Sequence, residues 1–394
     1  MKILVLTWEF PPRLIGGISR HCAELYPEID KLGYEIHLVT IEVGLAPAYE
    51  VIDGIHIYRV EVEPSPRDHL LTWIGNMNTS LQEKAQALVA GQKFDLIHAH
   101  DWLVAKAAIA IKNITGLPLV ATIHATEYGR HQGIHNHDSE QIHQQERALV
   151  QEAVQTIVCS KYMHWEVDEV LGCHPDHIHT IYNGIKPEKK QRPQDFDFWS
   201  LRRSFATDHE KIIYYVGRMT PEKGIFVLLD AASNVLWEME GRVKIVFVGG
   251  GNTDQLKSRA WDLGIWDKCF FTGFMSDSDL DKFQTVADCA VFPSLYEPFG
   301  IVALESFASH VPVVVSDAGG LPEVVRHGQT GIVTWKNNSE SLAWGILEVL
   351  RNPSYAKWLT DNAYDELRLR FNWADIAQQT AKVYRLALAK ADLK

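Results

Sequence analysis

The chain has 394 residues, with 38 Lys and Arg against 50 Asp and Glu for a net charge of −12, and 46% hydrophobic and 22% charged residues. At about 150 residues per domain this length gives two or three domains, each able to bury its own core. The composition excludes disordered and low-complexity classes, and an acidic chain without a Lys/Arg-rich block is a poor partner for nucleic acid or an anionic membrane.

The opening apolar run, Met1 to Leu6, is too short for a signal peptide before Glu9 and the Pro11-Pro12 pair. No stretch approaches the roughly 18 uninterrupted apolar residues of a membrane span, so a soluble, cytoplasmic protein is expected, with peripheral membrane contact left open. The five cysteines (Cys22, Cys159, Cys173, Cys269, Cys289) form no C-x-x-C pair and are expected to be reduced. Short β-rich runs then alternate with segments of helical period, the pattern of βα units around a parallel sheet. Strands are expected at 3–7, 35–40, 55–60, 95–98, 119–123, 156–159 and 178–182. Helices are expected at 18–32, kinked at Pro27 and closed by Gly33, and at 102–115, closed by Gly116. The polar stretch 183–197, with Lys189, Lys190 and Pro193, reads as a linker. A second series of strands follows at 212–217, 244–249, 269–272, 289–293 and 311–316, and the chain from Ser339 onward is mainly helical, ending in 373–389. Two successive βα series predict an α/β protein of two Rossmann-like, doubly wound domains, 1–190 and 191–372, facing a central cleft.

Three constellations could carry chemistry. Gly16 and Gly17, after Arg13-Leu14-Ile15, sit between the first strand and the first helix, where backbone N–H groups can approach a phosphate or sugar. An ordinary βα turn explains the pair as well, and the pattern is not a dinucleotide fingerprint. Gly217-Arg218-Met219-Thr220-Pro221-Glu222-Lys223-Gly224 places two cations at a strand-to-helix turn. A helix N-terminus attracts acids, so Arg218 and Lys223 there suit an external anion such as a diphosphate, against the plainer reading of two solvated charges. The run from Pro293 to Glu305 holds two carboxylates, Glu297 in a loop fixed by Pro298 and Glu305 within the next helix. With a helix start near Phe299, Glu305 lies about 9 Å along the axis, and the two could hold separated hydroxyls of one long ligand.

Together, Glu297-Pro298-Phe299-Gly300 with Glu305, and Gly217-Arg218 with Glu222-Lys223-Gly224, resemble the retaining GT-B glycosyltransferases of family GT4, over nearly the whole chain. His98-Ala99-His100-Asp101-Trp102 and Thr122-Ile123-His124 resemble the glycogen and starch synthases. The resemblance implies transfer of a hexose, most naturally glucose, from a nucleotide diphosphate sugar such as UDP-glucose or ADP-glucose to an acceptor hydroxyl, with retention and without a metal or resident cofactor. It implies that Arg218 and Lys223 bind the diphosphate, Glu297 the donor sugar and Glu305 the ribose. Phe299, Gly300, Ile301 and Val302 would contact sugar and phosphate, and the Phe274-Met275 turn would lie beside the base. Gly16 and Gly17 would close over the phosphate, His124 would meet the sugar's 6-hydroxyl, and Asp101 would face the acceptor. A terminal helix, 373–390, would pack back on the first domain. The glycogen synthases carry a Lys two positions before the paired glycines, where this chain has Leu14, with Arg13 one step earlier.

The acceptor stays open between an α-glucan or small saccharide and the glycolipids or exopolysaccharides that related enzymes assemble. A non-catalytic sugar-nucleotide binder is the competing class, although Arg218, Lys223, Glu297 and Glu305 are all present. Of the cluster His124, His131, His135, His137 and His143, only His124 ends a strand on the ligand side of an open sheet; His135-x-His137 could in principle bind a metal but has no carboxylate or cysteine at matching spacing. Gly249-Gly250-Gly251 reads as a tight βα turn more readily than as a nucleotide cradle, and Ser316 to Glu323 as either helix capping or a further element near the nucleotide.

Overall fold

The first strand, Lys2–Leu6 (β1), is apolar at every position but its first, as a strand must be when helices cover both faces of a parallel sheet. A computed structural model describes residues 1–63, 69–190 and 196–391; Pro193 of the expected linker lies outside the described residues. The chain divides into two units, Met1–Gly184 together with the segment from Trp373 onward, and Ile185–Asn372. The first unit thus ends at Gly184, where the sequence suggested a boundary after residue 190.

After β1 the first unit adds Glu35–Ile41 (β2), Tyr49–Ile52 (β3), Ile55–Val60 (β4), Leu96–His100 (β5), Leu119–Ile123 (β6), Gln155–Val158 (β7) and Ile178–Thr180 (β8). Their order is β3-β4-β2-β1-β5-β6-β7-β8, parallel throughout except for β3 against β4. The sequence reading lacked β3, a short and mostly exposed edge strand joined to β4 by Asp53-Gly54, both at positive φ. The helix Gly17–Lys31 continues through Pro27. It shares a core with the terminal helix Trp373–Ala391, in which Ile18, Leu25 and Tyr26 are buried with Trp373, Ile376 and Tyr384.

The second unit holds Lys211–Val216 (β9), Val243–Val248 (β10), Cys269–Gly273 (β11), Cys289–Phe292 (β12), Val313–Ser316 (β13) and Ile332–Thr334 (β14), in the order β11-β10-β9-β12-β13-β14 and all parallel. The last of these, three residues long, was also not anticipated. Both sheets reverse their winding beside their first strand, between β1 and β5 and between β9 and β12. Loops leaving the carboxyl ends of strands at such a switch point diverge and leave room for a ligand. All five cysteines are free, and no helix among the described residues is long and apolar enough to cross a membrane.

Candidate active-site residues

In the second unit the two loops at the switch point carry the two expected motifs. After β9 the chain makes a short 3-10 turn, Pro221–Lys223, before the helix Ile225–Glu238, so Lys223 precedes the helix rather than lying in its first turn. After β12 the loop reaches Gly300 and the helix Ile301–Ala308 begins. This start is two residues later than the sequence suggested, which makes Glu305 the fifth helical residue, about 6 Å along the axis instead of about 9 Å. Lys223 Nζ lies 2.8 Å from Glu297 Oε2, which Ser294 Oγ also approaches at 3.3 Å. The expected anion-binding cation and the expected sugar-binding carboxylate therefore partner each other.

The backbone locks this pair in place. The amides of Leu295 and Tyr296 donate to the carbonyl of Glu222 at 2.8 and 3.2 Å. Gly224 has φ +66°, and a Cβ there would lie 1.9 Å from the carbonyl oxygen of Pro293, so the two loops meet where only glycine fits. On the other side Ser316 Oγ donates to the carbonyl of Ser294 at 2.5 Å, and the amide of Gly320 donates to the carbonyl of Glu297 at 2.8 Å. The Ser316 to Glu323 element thus braces the Glu297 loop. Gly224 and Gly300 are the N-caps of the two helices that follow, so neither helix is closed by its own N-cap side chain.

The remaining residues of this half differ in availability. Arg218 is exposed and pairs with Glu222 at 3.0 Å, while Thr220 Oγ1 donates to the same carboxylate. Glu305 is buried, 3.9 Å from Lys190, whose ammonium also lies 2.5 Å from Asp281. Phe299 is buried edge-to-face against Phe371, whereas Phe274 is exposed just beyond β11, next to Met275. Ile301 and Val302 are the first two residues of their helix.

In the first unit the glycine loop after β1 is organised by Glu9, which the sequence reading did not single out. This buried carboxylate accepts the amides of Ile15 and Gly16 at 2.8 and 2.9 Å and also a bond from the amide of Ser19. Burial pushes its pKa up, and these amides and Arg13 oppose the shift. Gly16 is extended (φ −146°), and a Cβ there would come within 3.3 Å of Glu9 Oε1. The small residue at position 16 therefore makes room for an internal carboxylate. Gly17 is the first residue of the helix Gly17–Lys31. Arg13 lies between two indoles, 5.3 Å from Trp8 and 5.9 Å from Trp73.

At the ends of β5 and β6 stand Asp101 and His124. Asp101 is buried in a conformation, φ 61° and ψ 171°, that is nearly confined to glycine. Its Oδ1 accepts the amide of His124 at 2.7 Å, and the amide of Ala125 bonds to the same carboxyl group. The side chain thus holds the His124 backbone. Its Oδ2 is buried with no partner among the described residues. Burial lifts its pKa to about 6, against the pull of Arg130 and of these amides. His124 Nε2 lies 3.0 Å from His100 Nδ1, His100 Nε2 lies 2.5 Å from the Tyr26 hydroxyl, and that hydroxyl lies 3.0 Å from His98 Nδ1. His98 also meets the Tyr384 and Thr122 hydroxyls at 2.8 and 2.7 Å. Burial, then Arg130, pushes the pKa of His124 down to about 3, and burial lowers His98 and His100 as well. At neutral pH this ladder is uncharged. The sequence drew attention to His98 and His100 through their motif but gave no sign of His21, Tyr26 and Tyr384, which only the fold brings together.

Of the other four histidines in that cluster, His131, His135 and His137 are exposed, whereas His143 is largely buried. His131 faces Glu127 at 3.4 Å, His135 bonds the carbonyl of His131, His137 bonds Gln141, and His143 faces Glu146.

Residues 15–189 match the family model described as Glycosyltransferase Family 4, and residues 197–366 match that for Glycosyl transferases group 1. The chain is 37% identical over 397 residues to an uncharacterized glycosyltransferase of Methanocaldococcus jannaschii, covering 98% of this chain and 99% of the relative. It is 32% identical over 402 residues to the glycogen synthase of Mycobacterium tuberculosis, covering 98% and 95%. Among solved structures, the sucrose-phosphate synthase of Thermosynechococcus elongatus superposes with a TM-score of 0.84 at 23% identity, covering 99% of each chain. Two switch-point loops bearing the Arg-Lys and Glu-Glu motifs, and relatives that align end to end, lead to one assignment: the chain belongs to the family 4 glycosyltransferases of GT-B fold.

Proposed function

We propose that the protein is a retaining hexosyltransferase that moves glucose from a nucleotide diphosphate sugar to a hydroxyl of an α-glucan or small saccharide, with no catalytic metal. The observation that carries this reading is the 2.8 Å pair of Lys223 and Glu297 at the second switch point, beside two helix starts with glycine N-caps. An incoming diphosphate offers Lys223 a stronger partner than Glu297. Glu297, released, turns to hydroxyls of the hexose. As the sugar–phosphate bond breaks, charge grows on the leaving diphosphate. Lys223, Arg218 and the amides of Ile301 and Val302 stabilise it there, in the role a divalent cation would otherwise fill. The leaving phosphate oxygen takes the acceptor's proton on the face from which the sugar departs, so the anomeric configuration is kept. Phe299 and Gly300 add backbone contacts to the donor, Glu305 binds the ribose, and the Phe274-Met275 turn lies beside the base. In the first unit, neutral His124 is the group assigned to the hexose 6-hydroxyl, Asp101 fixes its backbone, and Gly16 and Gly17 are assigned to the donor's phosphate. The glycogen synthase relative favours glucose and a glucan acceptor.

The test is a panel of UDP-, ADP- and GDP-glucose with maltooligosaccharide acceptors, run with and without chelator and followed by NMR of the product anomer. One donor is expected to react, chelator is expected not to lower the rate, and the new bond is expected to be α. An inverted anomer, or no response to any donor, would overturn the reading.

A further inference from the structure

The ring nitrogens of His21, His100 and His124 converge in the first unit, all within 4.8 Å of one another. His21 Nδ1 donates to the amide oxygen of Asn183 at 2.7 Å, which leaves the lone pair on Nε2; that atom is buried with no partner among the described residues. His100 Nδ1 and His124 Nε2, 3.0 Å apart, share a single proton between two lone-pair sites. His100 is held from behind by the Tyr26 hydroxyl at 2.5 Å, as His21 is by Asn183. Such backing partners are what fix the tautomer and orientation of metal-bound imidazoles. A tetrahedral ion with bonds of about 2.0–2.1 Å needs its nitrogens about 3.3 Å apart, so small ring rotations suffice.

We propose that His21 Nε2, His100 Nδ1 and His124 Nε2 form a site for a zinc-class transition metal, and that occupancy takes His124 away from substrate. Coordination moves the shared proton to the far nitrogen of His124, so the imidazoles stay neutral. Asp101 Oδ1 accepts the His124 amide at 2.7 Å and so fixes the backbone that carries this ligand. His124 is the one of the three that is not fully buried, so the site lies at the edge of the core rather than within it. Three imidazoles without a dedicated oxygen cage select Zn²⁺, Co²⁺, Ni²⁺ or Cu²⁺ and reject Mg²⁺ and Ca²⁺. The other compatible cluster, Glu35, His37 and His56, carries no such case, because the Lys2 ammonium already sits 2.9 Å from the Glu35 carboxylate.

Only the inhibitory part of this proposal rests on the glycosyltransferase mechanism above. The experiment titrates metal-stripped, full-length protein with Co²⁺ and reads the visible bands of tetrahedral cobalt. Wild type is expected to take one equivalent, with bands that Zn²⁺ abolishes and Mg²⁺ leaves unchanged. His21→Ala is expected to lose the bands, and Asn183→Ala to keep them with affinity weaker by roughly 10–100-fold. If His21→Ala does not fold, the wild-type stoichiometry and the Asn183→Ala shift decide the matter. No tetrahedral spectrum in wild type, or one unchanged by either substitution, overturns the site. In a separate arm, Zn²⁺ is expected to inhibit glucosyl transfer and chelator to restore it. Cobalt binding without any transferase activity would sink the functional reading and leave the site standing, whereas transfer that Zn²⁺ does not slow would overturn the inhibitory claim.

Discussion

Substituting Lys223→Met and Glu297→Gln, singly and together, isolates the interaction that organises the second unit's site. The groups lie 2.8 Å apart, with side chains 19% and 13% exposed. At that separation Coulomb's law gives about 1.5 kcal/mol in water and about 6 kcal/mol at an effective dielectric of 20. Desolvation of both groups returns most of the larger figure and residual exposure screens the rest, leaving a coupling of about 1–2 kcal/mol. The two single variants are not equivalent. Glu297→Gln keeps an amide oxygen that can still accept from Lys223 and should cost about 1 kcal/mol. Lys223→Met leaves a mostly buried carboxylate with, among the described residues, the 3.3 Å contact to Ser294 and should cost about 2 kcal/mol. The double variant should cost less than their sum. Hydrogen exchange at the amides of Leu295 and Tyr296 reads this locally, because both bond to the carbonyl of Glu222 and are freed when the loops part. The cycle also has a functional arm. With its internal competitor gone, Lys223 in the Glu297→Gln protein should bind UDP or ADP roughly 5–10-fold more tightly, the equivalent of about 1–1.4 kcal/mol, while glucosyl transfer falls by orders of magnitude. Additive exchange effects, or nucleotide affinity unchanged by Glu297→Gln, would refute the reasoning that the pair is a latch opened by the donor.

Gly224→Ala forces a Cβ to within 1.9 Å of a backbone oxygen at φ +66°, so the second unit should lose about 3 kcal/mol or more and the Lys223–Glu297 register with it; an unchanged melting temperature would refute the close approach. Asp101, lifted to about 6, contributes stability that is fully present below the ordinary carboxyl pKa near 4 and is lost as pH rises through about 6. Asp101→Asn should therefore gain on wild type by up to about 3 kcal/mol between pH 4 and pH 7, and parallel stability curves would refute a buried, protonating carboxyl. His21 and His124 have the opposite sense, since both are pushed down to about 3. The stability they contribute is present above about 6.5 and drains as pH falls towards 3, so the wild-type protein should weaken on acidification, and His21→Asn should weaken less steeply.

The sheets were legible because parallel strands buried on both faces read as continuous apolar runs. The strands that escaped, β3 and β14, are edge pieces of four and three residues, and the apolar side chains of β3 are mostly exposed, so neither makes a buried apolar run. Its Asp53-Gly54 turn was the available signal. The charged motifs of the second unit were also legible, since Arg218, Lys223, Glu297 and Glu305 stand out by residue type. Their partners were not. Lys223 and Glu297 are 74 residues apart, and Lys190 meets Glu305 only because the chain after the first unit returns across the helix Ile301–Ala308. Glu9 went unnoticed because one acid near a proline pair has no pattern. The glycine loop suggested an approach to an external anion, and the fold puts an internal one at its amides.

That contrast explains how two domains of one architecture come to have different chemistry. Each sheet reverses at its first strand and sends a loop and a helix start to the same place. In the first unit a carboxylate of the chain already occupies the amides before the helix Gly17–Lys31, and the neighbouring strand ends carry imidazoles that burial keeps neutral. There the helix start is already answered by Glu9, and the neighbouring cation, Arg13, is held against two indoles. In the second unit the equivalent helix starts carry glycine N-caps, and a lysine stands next to them on a carboxylate that can be exchanged. The net charge of −12 is therefore no obstacle to a diphosphate ligand. What decides is whether the anion at a helix start belongs to the chain or is left for a ligand to supply, and the two switch points of this protein answer that question in opposite ways.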